Sequence, residues 1–119
     1  MTTGRFARHQ RLLTSSDFRY VFAHPRRFNH PYLTMLVRSN QQSFARLGLA
    51  IPKRHIKRAV DRNRIKRQIR ESFRAWQTKL VGWDIVMLAR SGADRLTNRE
   101  LRDVLESHWQ KLATLCADS

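Results

Sequence analysis

The segment Lys57–Arg74 reads K-R-A-V-D-R-N-R-I-K-R-Q-I-R-E-S-F-R, with eight basic residues in eighteen and with Ile65, Ile69 and Phe73 at intervals of four. Advanced at roughly 100° per residue, Ile65, Ile69, Phe73, Trp76 and Leu80 fall within one narrow arc, the pattern of a helix seated on an apolar layer. Lys66, Arg67, Arg70 and Arg74, together with Asn63, gather on an arc beside that stripe. Arg62 lies near the apolar border, and Arg64 points elsewhere. The charge is therefore presented from a fixed helix rather than from a disordered tail.

The flanks of this helix set the fold. Before it, Arg46 to Ile51 alternates Leu47, Leu49 and Ile51 with Gly48 and Ala50, as a strand does. Pro52 should end pairing there, and Lys53 to Arg58 forms a basic connector. An earlier strand spans Tyr32 to Arg38, opened by Pro31, and the turn-like S-N-Q-Q-S-F between the two predicts a hairpin. After the helix, Gly82 precedes a third strand, Asp84 to Arg90. T-N-R-E at Thr97–Glu100 is a capping box that starts a last helix with Leu101, Val104, Leu105, His108 and Leu112 along one side. Near the N-terminus, Thr14 can cap a helix with Asp17 completing the box and Leu13 stapled on Phe18. That helix should run to about His24, stopped by Pro25, with Phe18, Val21 and Phe22 on one face. The order is α-β-β-α-β-α, an α/β (α+β) arrangement in one domain over residues 1–119. It predicts a small mixed sheet packed by helices, with a β-α-β crossover. Residues 1–12 form a basic arm, expected to be mobile.

Composition bounds the partner. The 119 residues carry 24 Lys and Arg against 9 Asp and Glu, a formal charge of +15 that repels itself without a polyanion. Ten of those cations lie between Lys53 and Arg74, against only Asp61 and Glu71. Nucleic acid is the leading partner. Hydrophobic residues make up 41% of the chain, which separates it from disordered basic tails. The single cysteine, Cys116, can make no internal disulfide and lacks zinc-site spacing, which fits a cytoplasmic location. No apolar run approaches the ~20 residues of a membrane span, and the start M-T-T-G-R-F-A-R-H-Q has no signal-peptide core.

Arginine suits such a face because its planar fork can bridge two phosphate oxygens or stack on a base, whereas lysine is a point charge. A merely solvated face usually interleaves both signs. Like charges on adjacent turns cost stability unless a polyanion relieves them.

R-N-R-I-K-R-Q-I-R-E-S-F-R, with Arg62-Asn63-Arg64 followed by Lys66, Arg67 and Arg70, resembles the signature of the bacterial ribonuclease P protein component. R-L-L-T-S-S-D-F-R-Y-V-F, R-L-G-L-A-I-P-K-R and D-I-V-M-L-A-R-S-G extend the resemblance over most of the chain in matching order. The resemblance implies a left-handed β-α-β crossover, which general topology rules would exclude. It implies a protein that assists a catalytic RNA in removing the 5′ leader from precursor tRNA, with the RNA holding the magnesium ions and the chemistry. No membrane and no obligate protein partner are implied. Carried over by position, Arg62, Asn63, Arg64, Lys66, Arg67 and Arg70 would face the catalytic RNA, with Lys53 and Arg54 beside them and Arg74 as a weaker contact. Phe18 and Phe22 match the aromatic positions of the family's leader cleft, where bases stack at ~1 to 3 kcal/mol each whatever their identity. Spacing alone favours plain core contacts for both. Tyr32, at the edge of the first strand, and Met35 are the positions for a third cleft contact.

Other classes compete. Intrinsic nuclease activity would need gathered groups, yet His9, His24, His30, His55 and His108 are scattered, and His108 sits on an apolar helix face. A zipper-type DNA reader would need heptads where Gly82 and a strand follow. A general structural-RNA binder fits charge, aromatics and a small sheet equally well. A lipid-surface helix would need the apolar stripe that the core takes.

Overall fold

A computed structural model describes residues 10–12 and 14–117. Leu13, the expected staple, lies outside the described residues, as do the first nine residues of the arm and the side chain of Cys116. The elements are α1 (Ser15–Ala23), β1 (Arg26–Phe28), β2 (Leu33–Ser39), β3 (Arg46–Ala50), α2 (Ala59–Trp76), β4 (Trp83–Ala89) and α3 (Asn98–Ala117). Single 3-10 turns follow α2 at Gln77–Lys79 and precede α3 at Ala93–Arg95.

Both capping boxes form. Asp17 N donates to Thr14 Oγ1 at 3.1 Å while Thr14 N donates to Asp17 Oδ2 at 3.2 Å. At α3, Glu100 N donates to Thr97 Oγ1 at 3.1 Å and Thr97 N to Glu100 Oε1 at 2.9 Å. Each box satisfies amides that the helix cannot pair itself.

The sheet has the order β1-β2-β4-β3. β4 is antiparallel to β2, from Leu33 opposite Ala89 to Ser39 opposite Trp83, and parallel to β3, from Arg46 opposite Asp84 to Ala50 opposite Leu88. This corrects the expected hairpin: β2 and β3 are consecutive in sequence, but β4 is inserted between them. The connecting loop is held by β4's leading residues. Asn40 N donates to Gly82 O at 2.8 Å, Gly82 N to Phe44 O at 3.3 Å, and Asn40 Nδ2 to Asp84 Oδ1 at 2.8 Å. Gly82, at φ +90°, supplies the left-handed turn that feeds β4 into this slot. The crossover β3-α2-β4 therefore joins adjacent parallel strands, as the order of elements required.

β1 was not legible. Its three residues include Arg26 and Arg27, show no alternation, and pair only on one side, with Phe28 opposite Met35. Such short charged strands are the usual way of closing a sheet edge.

Strand geometry sends alternate side chains to opposite faces. On one face Leu33, Met35, Val37, Leu47, Ile85 and Met87 pack against Ile65, Ile69 and Phe73 of α2 and Leu101, Leu105, Trp109 and Leu112 of α3, all buried. The Phe73 and Trp109 rings meet edge-on at 6.0 Å, and Trp109 Nε1 donates to Ser72 Oγ at 2.7 Å. The opposite face carries α1 over a small cluster of Leu12, Val21, Leu36 and Val86. The end of the arm runs along the β3 edge, with Leu12 in that cluster: Leu12 N donates to Leu47 O at 3.0 Å, and Gln10 is buried and bonded to Gln77 in the turn after α2.

Candidate nucleic-acid interface

Two surfaces meet at the β3 edge of the sheet. The first is the exposed side of α2. Ile65, Ile69 and Phe73 are fully buried, which fixes the rotation of the helix and turns Asn63, Arg67, Arg70 and Arg74 outward, with Lys66 half-buried beside them. Burial, then the neighbouring charges of Arg11 and Arg74, hold the Arg70 guanidinium below the ordinary arginine range. Crowded cations of this kind are relieved by a polyanion.

Arg62 and Arg64 behave differently from their neighbours. Both are half-buried. Arg62 Nη1 donates to Ile56 O and Lys57 O, each at 2.9 Å, and Arg64 donates to Asn98 Oδ1 at 2.9 Å and Asp94 O at 3.0 Å. Lys53 and Arg54 are exposed on the connector before α2.

The second surface is α1 on the sheet. Phe18 lies against Gly48, where an added Cβ would come within 2.8 Å of the ring, so glycine is what lets the aromatic ring approach the strand this closely. Phe22 is 44% exposed and stacks near Phe18 with centroids 6.4 Å apart and planes at 22°. Val21, on the same helical face in sequence, is completely buried. The pair is thus divided: Phe18 is largely seated on the sheet and Phe22 offers an open ring. Polar contacts pin the helix. Asp17 pairs with Arg46 at 3.6 Å, and Arg46 in turn bonds the fully buried Asp84 through Nε at 2.8 Å and Nη2 at 2.6 Å. Its hydrogen bond to Asp84 raises Arg46 above the ordinary arginine range. Tyr20 Oη donates to Ser39 O at 2.8 Å, and Arg38 lies 4.0 Å over the Tyr20 ring.

Met35 is a correction. It is fully buried among the α2 and α3 side chains, on the face of the sheet away from α1, and cannot meet a ligand in the α1 cleft. Its neighbour Leu36 points the other way, into the small buried cluster with Val21 of α1. The buried run from Leu33 to Val37 hides the alternation that would have told them apart in sequence. Tyr32 is 36% exposed, but its ring packs on Gly92 rather than beside Phe18: a Cβ on Gly92 would lie 2.6 Å from it.

A recess of about 250 Å³ joins the two surfaces, lined by Arg11, Phe18 and Gly48 from one side and Lys66 and Arg70 from the other. Arg11 and Gly48 were not singled out in sequence, although a glycine inside a strand is itself a sign of close approach. His108 is buried, with Nε2 bonded to Leu33 O at 2.8 Å, and its ring lies 6.2 Å from that of His30. It is a packed residue. No helix among the described residues is long and apolar enough to cross a membrane.

A cationic helix adjoining an aromatic ring on a small mixed sheet gives an α/β module with the features of an RNA-binding protein. The comparisons narrow this class. The chain belongs to the ribonuclease P protein family, whose description, Ribonuclease P, it matches over residues 6–113. It is 47% identical over 114 residues to the ribonuclease P protein component of Pasteurella multocida, covering 96% of each chain. It is 45% identical over 119 residues to that of Pseudoalteromonas atlantica, covering 100% of this chain and 99% of the relative. The solved RNase P protein of Staphylococcus aureus superimposes with a TM-score of 0.79 at 28% identity, over 87% of this chain and 94% of that one.

Proposed function

We propose that this chain assists a catalytic RNA, which itself cleaves the 5′ leader from precursor tRNA, by neutralising RNA phosphates and holding the leader. Family membership makes it a protein subunit of ribonuclease P, acting in tRNA 5′ processing. The observation that carries the finer reading is the recess shared by Phe18 and Gly48 with Lys66 and Arg70. An aromatic ring beside a cationic helix supports a reading in which one strand is gripped while a neighbouring RNA is bound.

In this reading Asn63, Lys66, Arg67, Arg70, Lys53 and Arg54 meet the catalytic RNA, and Phe22, with Phe18 behind it, takes leader bases by stacking. Stacking on an open ring accepts any base, which suits a subunit that must serve many leaders. Among the described residues no three His, Cys, Asp or Glu side chains gather to hold a metal ion, and the proposal leaves the magnesium ions with the RNA. The complex would act in the cytoplasm.

The test is cleavage of a 5′-labelled precursor tRNA at low magnesium by the protein alone, by a bacterial ribonuclease P RNA alone and by the two together. Release of an intact leader by the mixture only is the expected result. Cleavage by the protein alone would overturn the division of labour. Failure to stimulate a competent RNA would turn the assignment toward general RNA binding.

A further inference from the structure

The first two turns of α2 are bonded to two loops at once. Arg62 donates to Ile56 O and Lys57 O, carbonyls of the segment that leaves the carboxyl end of β3. Arg64 donates to Asp94 O and Asn98 Oδ1, which belong to the segment leaving the carboxyl end of β4 and to the start of α3. β3 and β4 are parallel neighbours, so the two loops emerge side by side at one end of the sheet. A further bond links them directly: His55 Nδ1 and Ser91 Oγ lie 2.8 Å apart. The second loop is also fixed from below, where Arg90 N donates to Tyr32 O at 2.9 Å and the Tyr32 ring fills the space over Gly92, at φ +100°.

These loops carry Lys53, Arg54 and Arg90, all exposed. The carboxyl ends of parallel strands are where open α/β sheets receive ligands. The arginine forks that could have reached outward are instead spent on acceptors within the chain. Arg64 engages both terminal nitrogens in this way and Arg62 engages Nη1 with two carbonyls, so the terminal pair of neither fork can grip a phosphate without releasing a loop. Lysine could not replace Arg64 here, because a single ammonium cannot hold two separated acceptors in a fixed plane.

We propose that Arg62 and Arg64 are positioning residues: their forks lock the loops after β3 and β4 together, so that Lys53, Arg54 and Arg90 form one cationic platform for RNA phosphates. This rests on the ribonuclease P reading above. Direct contacts from α2 then come from Asn63, Lys66, Arg67 and Arg70, which face outward.

Two variants separate clamp from contact. Arg64→Lys keeps the charge and loses the fork; Asn98→Ala removes an acceptor without altering any charge. In the free protein, amide exchange across residues 91–97 should quicken in Arg64→Lys by about tenfold, the scale of one charge-assisted hydrogen bond. Binding to ribonuclease P RNA should weaken by about threefold to tenfold in each variant, and the double variant should be no worse than Arg64→Lys alone. The plot of affinity against salt should become shallower in both, as platform cations lose their phosphates, although neither variant removes a positive charge. A purely structural role would leave the affinity and salt dependence of the folded protein unchanged. Arg67→Lys, a control on the exposed face, should leave loop exchange as in the wild type. The proposal is overturned if Arg64→Lys exchanges normally over residues 91–97, if Asn98→Ala binds RNA with wild-type affinity and salt dependence, or if the two losses add. If the wild-type protein does not bind the catalytic RNA, the functional reading falls and the RNA platform with it, and the exchange comparison still decides whether the forks hold the loops.

Discussion

The two faces of the sheet are built by different physics. On the α2 and α3 side, eighteen buried residues form one continuous apolar cluster among the described residues, and Trp109 and Phe73 lock the two helices over it. On the α1 side the buried cluster has four residues, and the helix is pinned in addition by the Asp17–Arg46–Asp84 chain and by Tyr20 and Arg38. Apolar burial scales with area and needs no particular partner, so the first face supplies most of the stability. The second face leaves a groove beside α1 open, with Phe22 exposed. One face fixes the scaffold, and the other leaves an aromatic ring uncovered.

The sharpest way to break that comparison is to damage the first face. Phe73→Ala should cost about 3–5 kcal/mol of unfolding free energy, measured by urea denaturation, because it opens a cavity where α2 meets Trp109. Any of that variant that folds should still bind RNA, since the exposed cations remain. Asp84→Ala attacks the polar pin of the second face. It leaves Arg46 and Asn40 without their shared acceptor and should cost about 3 kcal/mol, the lower end for a broken buried pair because Arg46 is partly in water. A loss below about 0.5 kcal/mol in the same urea assay would show that α1 is not held through this chain.

Phe22→Ala should separate the faces cleanly. Its stability should change by less than about 1 kcal/mol, since the ring is nearly half exposed. Affinity for precursor tRNA should fall by about 1–3 kcal/mol while affinity for mature tRNA holds, as judged by titration of the holoenzyme. Equal losses for both substrates would remove Phe22 from the leader contact.

The smallest expected effect is one of pH. Burial holds the His108 imidazole below its ordinary value of 6.5; its bond to Leu33 O works in the opposite direction, and His30 and Lys111 add to the lowering. The unfolded chain therefore takes up this proton at a higher pH than the folded one. The stability contributed by neutral His108 is complete above 6.5 and is lost as pH falls through the folded value. Urea midpoints should decline on acidification over that window, and His108→Gln should flatten part of the decline.

Much of this was legible in the sequence. Both capping boxes, the buried stripe of α2 and the outward set Asn63, Lys66, Arg67 and Arg70 follow from residue types at helical spacing, because a helix's faces depend only on local geometry. Three features were not. β1 has too little pattern to register. Met35 and Leu36 could not be assigned to faces, because both faces are covered over that stretch and alternation disappears. Arg62 and Arg64 read as part of a basic run, since nothing local reveals that their acceptors lie in the loop before α2 and, thirty residues or more away, at Asp94 and Asn98.

The sequence by itself determined every element except β1, the order of those elements, the excess of positive charge and the helix that presents it, because these rest on interactions between residues close along the chain. The tertiary structure alone decided that β4 enters between β2 and β3, that Phe18 comes to rest on Gly48 while Phe22 stays open, and which arginines face outward. Those outcomes depend on long-range partners, with Asp84 gathering Arg46 and Asn40, and Asn98 meeting Arg64, and such pairings acquire an energy only once the chain has folded.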